Sequence, residues 1–147
     1  MMVAPTVIET LIDLTLIESD AAAKRLGSAV RTSEEAQGKK ELLENYRQEY
    51  VEKLQVTLAG GLSMQQHKNY QAFISGMDRA ISQQQQICLS FQSKVVEQRS
   101  LWQQSERKRL SYTTLSNRAA SLAKKFDDKR EQKNTDEFAA RKHAVHR

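Results

Sequence analysis

The sequence has one proline, Pro5, and no strong helix breaker after it until the adjacent pair Gly60 and Gly61. Proline suits the first turn of a helix, where its missing N–H removes no hydrogen bond. The rest of the 147-residue chain is rich in Gln, Lys, Glu, Ala and Leu, which favour helix. Only 6% of the residues are aromatic, so a compact globular core would be hard to fill. We therefore expect long helices packed along a seam.

The segment before the two glycines carries apolar or small residues at spacings of three and four. Such spacing is typical of a coiled-coil seam, and small residues allow two helices to approach closely. Lys40 and Arg47 fall on the same stripe and weaken it. The stripe consists of Ala22, Leu26, Ala29, Ser33, Ala36, Leu43, Tyr50 and Leu54.

The segment 59–63 reads as a helix-capping glycine pair followed by an N-capping serine, Ser63. So short a connection forces two long helices to fold back antiparallel. The second helix has a seam of its own, which we expect to slip by one residue after Trp102. Its first part is Tyr70, Ile74, Met77, Ile81, Gln84, Cys88, Phe91, Val95, Gln98 and Trp102. After the slip it is Tyr112, Leu115, Ala119, Leu122 and Phe126.

These patterns predict an all-α fold in which two long helices form an antiparallel coiled-coil hairpin, with the second helix overhanging at its C-terminal end. The single hairpin would occupy residues 1–147, with a helix over about 5–58, a turn at 59–63, a helix over about 64–140 and a short disordered tail. A turn near Gly61 brings together residues whose numbers sum to about 123. The expected pairs are Tyr50 with Phe73, Tyr46 with Met77, Leu43 with Ala80, and Ile8 with Leu115.

The charge is unevenly distributed along the chain. The net charge is +5, yet residues 1–106 hold 11 Lys/Arg against 13 Asp/Glu, whereas residues 107–147 hold 12 against 5. After about residue 118 the second helix has no partner within the hairpin. We expect it to project there as a single basic helix with a role of its own.

Nothing in the sequence indicates an enzyme or a cofactor. The histidines His67, His143 and His146 lie at the turn and in the tail, and their spacing is weak evidence for a metal site. The two glycines lack the lysine and the strand of a phosphate-binding loop. Cys88 is alone, and a buried thiol is expected there. We expect no secretory signal at the N-terminus and no membrane-spanning segment.

Two groups of residues are candidate protein-binding surfaces. The first, the tip patch, lies near the turn, where four of the nine aromatic residues occur and Tyr46 stands beside the seam. A structural alternative is that these rings only hold a fraying end together. The residues concerned are Leu43, Tyr46, Tyr50, Tyr70, Phe73 and Met77.

The second group, the open end, combines an over-apolar N-terminus with the basic overhang. One partner helix covers only a stripe, so some of the apolar residues must stay exposed or be buried by another molecule. A solvated basic helix over a frayed end is the alternative. The apolar residues are Val7, Ile8, Leu11, Ile12, Leu14, Leu16 and Ile17. The overhang carries Leu122, Lys124, Lys125, Phe126, Lys129, Arg130, Lys133 and Phe138.

Three stretches resemble the FliJ family of the bacterial flagellar type III export apparatus. They are residues 42–50 (LLENYRQEY), 69–74 (NYQAFI) and 136–139 (DEFA), and the chain length, the turn position and Trp102 agree as well. The resemblance covers nearly the whole chain. Its paired tyrosines and its Asn-Tyr-x-x-Phe segment on either side of a glycine turn are more specific than coiled-coil spacing.

The resemblance implies a cytoplasmic, non-enzymatic export component, peripherally associated with the inner face of the membrane and similar to the stalk of rotary ATPases. It implies three partners: the export ATPase hexamer (FliI-like), an export gate membrane protein (FlhA-like) and export chaperones. The implied gate-binding residues are Leu43, Tyr46, Tyr50, Phe73, Met77 and Ala80, where Met77 replaces a familiar leucine. The implied ring-binding residues are Leu11, Leu14, Ile17, Ala21, Leu122, Lys124, Lys125, Phe126, Lys129 and Arg130.

Two other interpretations are compatible with the sequence. A nucleic-acid-binding arm could use the basic tail, but acidic residues such as Asp127 and Asp128 interrupt it and no aromatic stacking platform lies among the cations. The equivalent stalk of a virulence type III secretion system would share the mechanism.

Overall fold

The computed structural model describes residues 5–145, which form two α-helices. Helix α1 spans Pro5–Ala59 and helix α2 spans Met64–Val145, and the two pack against each other as an antiparallel hairpin without strands in the described part. The predicted fold class is confirmed. Helix α2 continues five residues beyond the expected end near Ala140, and Lys142 and His143 in its last turn favour the negative end of the helix dipole. His146 and Arg147 lie outside the described residues.

The turn has the capping chemistry that the sequence indicates. Gly61 adopts a φ of 84°, a left-handed conformation that costs glycine little. The backbone N–H of Gln66 donates to Ser63 Oγ, and the N–H of Ser63 donates to Gln66 Oε1, each at 3.2 Å. These reciprocal bonds form a capping box, which satisfies two backbone donors and starts α2 at a defined residue.

The contacts divide the chain into two units, residues 1–20 with 103–147 and residues 21–102. In the unit of residues 21–102, all the predicted seam positions are buried or half-buried. Ala22, Ala36 and Cys88 are the most deeply buried of them, so small side chains lie where the helices approach closely. Gln84 also belongs to the seam and donates from Nε2 to the carbonyl oxygen of Ala36 at 2.9 Å.

In the unit of residues 1–20 and 103–147, the predicted one-residue slip is wrong. Leu115 is 49% exposed, and Ala119, Leu122 and Phe126 are exposed as well. The half-buried positions of α2 continue the heptad without interruption at Ser105, Arg109, Tyr112 and Ser116. Ser116, and not Leu115, therefore lies opposite the buried Ile8, one residue from the expected register.

The physical reason for the difference is that this part of the seam is polar. Thr15 and Ser19 are buried at seam positions of α1. Ser19 Oγ donates to Glu106 Oε1, and Arg109 Nη2 donates to Glu106 Oε2 at 2.8 Å. Because Ser19, Glu106 and Arg109 satisfy one another's hydrogen bonds, polar residues can continue the heptad spacing of the seam here. The sequence prediction followed the apolar residues instead and therefore chose the wrong face of α2.

Candidate functional site

The tip patch lies in the unit of residues 21–102 and is partly exposed. Tyr46 and Phe73 are exposed large side chains, whereas the other predicted members are half-buried. The half-buried members are Leu43, Tyr50, Tyr70, Met77 and Ala80. The half-buried residues thus form the floor of the patch, and the exposed rings of Tyr46 and Phe73 lie beside this floor.

One aromatic pair joins the two helices in the tip patch. The rings of Tyr50 and Phe73 have centroids 4.3 Å apart and are tilted by 40°, which is a favourable aromatic arrangement. Lys53 Nζ lies 5.6 Å from the centroid of the Tyr50 ring, within the range of a cation–π contact. Arg47 Nε donates to Asp78 Oδ1 at 2.5 Å. These contacts hold the floor of the patch in place.

The exposed members Tyr46 and Phe73 share one flank of the hairpin with the half-buried Ala80. Tyr46, Phe73 and Ala80 each stand one position before a seam residue, in an interval where two seam residues are four apart, and such positions of two antiparallel helices lie along the same side of the seam. Lys39 and Lys53 occupy equivalent positions. The predicted patch did not include these two cations, although their place in the heptad was the available signal.

The open end presents apolar side chains away from the seam. Leu14 and Ile17 lie on the outer face of α1, and Val7 and Leu16 are exposed as well, while Leu11 is half-buried. Ala21, the fourth ring-binding residue expected on α1, belongs to the other unit and is half-buried there. The structure therefore leaves most of the apolar surface that the sequence indicates without a cover in the described chain.

The polar cluster of Ser19, Glu106 and Arg109 lies on the inner side of the same helix pair. The hydrogen bond from Arg109 is the main cause that lowers the pKa of Glu106 below its ordinary value, and the hydrogen bond from Ser19 lowers it further. The same bond raises the pKa of Arg109. Lys108 Nζ lies 3.7 Å from Glu18 Oε2. The cluster is charged and internally satisfied, which is consistent with a structural role.

The overhang is a single exposed helix. Every residue from 117 to 145 is exposed, and no described ion pair includes Lys124, Lys125, Lys129 or Arg130. Leu122 and Phe126 are exposed among these cations. In the register that pairs Ile8 with Ser116, these residues lie beyond the first described turn of α1. The exposed apolar residues of α1 and the basic residues of the overhang therefore follow one another along the same unit and do not form one cluster.

Other kinds of site find little support in the described chain. Within residues 5–145, no group of three His, Cys, Asp or Glu side chains is arranged to hold a metal ion. Cys88 is buried in the seam. Neither described helix contains a stretch apolar and long enough to cross a bilayer.

Comparison with known proteins identifies a family over nearly the whole chain. A family model described as "Flagellar FliJ protein" matches residues 6–147. A curated flagellar FliJ protein of Salmonella typhi is 31% identical over 134 residues, which cover 91% of each chain. A flagellar FliJ protein of Escherichia coli (strain K12) is 30% identical over 132 residues, which cover 90% of each chain. The chain described here therefore belongs to the flagellar FliJ family.

Proposed function

We propose that the chain is a non-enzymatic, stalk-like component of the flagellar type III protein export apparatus. Its open end inserts into the central hole of the hexameric export ATPase (FliI-like) and promotes assembly and activity of the ring. Its tip patch contacts the membrane-embedded export gate (FlhA-like), and the chain escorts export chaperones. It acts in the cytoplasm, peripherally associated with the inner face of the cell membrane.

One observation carries the ring-insertion proposal: the polarity of the open end is inverted. Thr15 and Ser19 are buried between the helices, while Leu14 and Ile17 face outward. A helix pair that functions alone would gain by the opposite arrangement, because burial of a leucine or isoleucine side chain contributes about 1.5–3 kcal/mol. The outward apolar face is thus suited to burial by a surrounding protein.

The overhang extends this surface with positive charge. Four cations, Lys124, Lys125, Lys129 and Arg130, make no ion pair within the described chain. Carboxylates that line a ring would attract them and accelerate insertion, an effect that weakens as salt increases. The exposed apolar side chains of α1 would then provide the binding energy.

The tip patch has the composition of a docking surface. Tyrosine is favoured at interfaces because a large apolar ring carries a polar end, and Tyr46 is exposed beside a fixed floor. Lys39 and Lys53 border the patch, so the matching surface of the gate would carry acidic groups.

Stimulation of the purified export ATPase tests the ring-insertion proposal. The variant Leu14→Ser, Ile17→Ser should lower the stimulation at least about tenfold, because two buried contacts would be lost. Leu42→Ser is the matched control, since Leu42 and Leu14 are both 52% exposed and Leu42 lies in the other unit. Deletion of residues 119–147 should also abolish the stimulation. Unchanged stimulation in both open-end variants, with helicity intact, would contradict ring insertion.

A further inference from the structure

A concave surface lies in the unit of residues 21–102, away from the tip patch. It is a groove of about 260 Å³ between the helices, lined by Arg25, Ala29, Thr32, Phe91, Lys94 and Gln98. Ala29 and Phe91 are seam residues that form its floor. Small side chains on the α1 side leave the space open, so the groove results from the sequence of α1.

The rims of the groove are cationic. Arg25 stands on the α1 rim and Lys94 on the α2 rim, and neither forms an ion pair with a carboxylate of the described chain. Both occupy the position before a seam residue, as do Lys39 and Lys53. These four cations stand where the next seam residue follows the previous one by four residues, and every charged residue at such positions between 21 and 102 is basic. The row of positions next to the seam on this flank therefore has one sign of charge.

The opposite flank differs at the same level of the hairpin. A groove of about 180 Å³ there is lined by Val30, Glu34, Val95 and Arg99, among others, so it holds one acidic and one basic residue. Glu44 and Asp78 follow on that flank. The basic character is therefore specific to one side of the seam.

We propose that the Arg25–Lys94 groove binds an acidic amphipathic helix of a partner protein. An apolar residue of that helix would rest on Ala29 and Phe91, and carboxylates on both sides of its apolar stripe would meet Arg25 and Lys94. Insertion of an amphipathic helix into an apolar groove is a common mode of recognition. This proposal does not depend on ring insertion.

The geometry disfavours two other anionic partners. Nucleic acid binding generally uses many phosphate contacts, and two cations on a groove this short supply few. The Phe91 ring is part of the seam floor and is half-buried, so it offers no exposed platform for a base. A membrane surface is flat, whereas the apolar floor here is recessed between two rims.

The probe for the test is a designed helical peptide of about 20 residues, roughly 30 Å long, with leucine along one face and glutamate elsewhere. Its binding to the full chain is followed by fluorescence anisotropy. Lys94→Glu should weaken binding about tenfold or more, because a desolvated ion pair is replaced by repulsion. Arg99→Glu is the matched control: it makes the same charge change on the same helix but on the opposite flank, and should alter binding less than about twofold.

A photocrosslinker adds the position of the peptide. Placed at Thr32 it should label the peptide, and placed at Val30, on the opposite flank, it should not. Equal weakening by Lys94→Glu and Arg99→Glu would show mere charge attraction and overturn the proposal. Equal binding of a lysine version of the peptide, no binding of the acidic peptide, or retention of nucleic acid by Arg25 and Lys94 in its place would overturn it as well.

Discussion

Thr15 and Ile17 are two residues apart on the same helix, and their environments are the reverse of their polarity. The threonine is 3% exposed and the isoleucine 66%. Thr15 satisfies its hydroxyl by donating to the carbonyl oxygen of Ile12 at 2.9 Å, so its burial requires no partner on α2. Ile17 finds no apolar cover in the described chain. This reversed polarity supports the proposal that the outer face of α1 contacts another molecule.

Acid should weaken the polar cluster at the open end. Because the folded-state pKa of Glu106 is lowered from the ordinary value of 4.5, its contribution is complete above that value. The contribution is lost as the pH falls below 4.5 through the lowered pKa. Thermal unfolding from neutral pH to about pH 3 should show this loss, and Glu106→Gln should reduce it.

The variant Ser19→Ala tests the same cluster in a second way. Removal of the Ser19 hydrogen bond takes away one cause of the lowered pKa of Glu106, so the acid-induced loss should be smaller and should be complete at a higher pH. Glu97→Gln is the control, since Glu97 makes no ion pair in the described chain. An identical pH profile for Ser19→Ala and the unmodified chain would show that the bond is not formed in solution.

The close approach of the helices near Ala36 predicts sensitivity to larger side chains. Ala36 is buried, and the Gln84 side chain bonds to its carbonyl oxygen. Ala36→Leu should lower the free energy of unfolding by about 1–3 kcal/mol through overpacking. Ala139→Leu, in the exposed overhang, should change it by less than about 0.5 kcal/mol. Urea unfolding followed by circular dichroism measures both values, and equal stabilities would contradict the close packing.

Much of the fold could be predicted from the sequence, because heptad spacing and turn residues are both local signals. The heptad spacing identified the seam between residues 22 and 102, and Gly60, Gly61 and Ser63 identified the turn. The prediction failed where polar residues occupy the seam. Ser105 and Arg109 look like surface residues in a sequence, and the bond from Arg109 to Glu106 that satisfies the guanidinium in the seam is not revealed by spacing alone.

The candidate surfaces could be predicted only in part. The exposed apolar residues of the open end follow from counting more apolar positions than one partner helix can cover. The groove between Arg25 and Lys94 was not predicted, because its two rims are about 70 residues apart in sequence and meet only through the register of the hairpin.

The turn offers a test of the glycine conformation. Gly61→Ala should destabilise the chain by about 1–2 kcal/mol, because an L-residue resists the positive φ although no atom crowds the added Cβ. Gly60→Ala is the control: its φ is not positive and its added Cβ would be 3.5 Å from the Thr57 carbonyl oxygen, an ordinary contact. A loss in Gly60→Ala equal to that in Gly61→Ala would argue against this turn geometry.

Two tyrosines of the tip patch, Tyr46 and Tyr50, should distinguish an effect on stability from an effect on binding. Tyr50 pairs with Phe73, so Tyr50→Ala should lower the free energy of unfolding by about 2 kcal/mol. Tyr46 is exposed, so Tyr46→Ala should cost less than about 1 kcal/mol while weakening binding to the cytoplasmic part of the export gate about tenfold. If Tyr46→Ala instead reduces stability and leaves gate binding intact, the rings only hold the turn end together.

Photocrosslinking from position 17 tests ring insertion most directly. The full chain carrying a photoreactive residue in place of Ile17 is mixed with the assembled export ATPase, with the same residue in place of Leu42 as the control. We predict crosslinks to ATPase segments that line the central hole from position 17, and none from position 42. Crosslinks from position 42 with none from position 17 would contradict insertion of the open end.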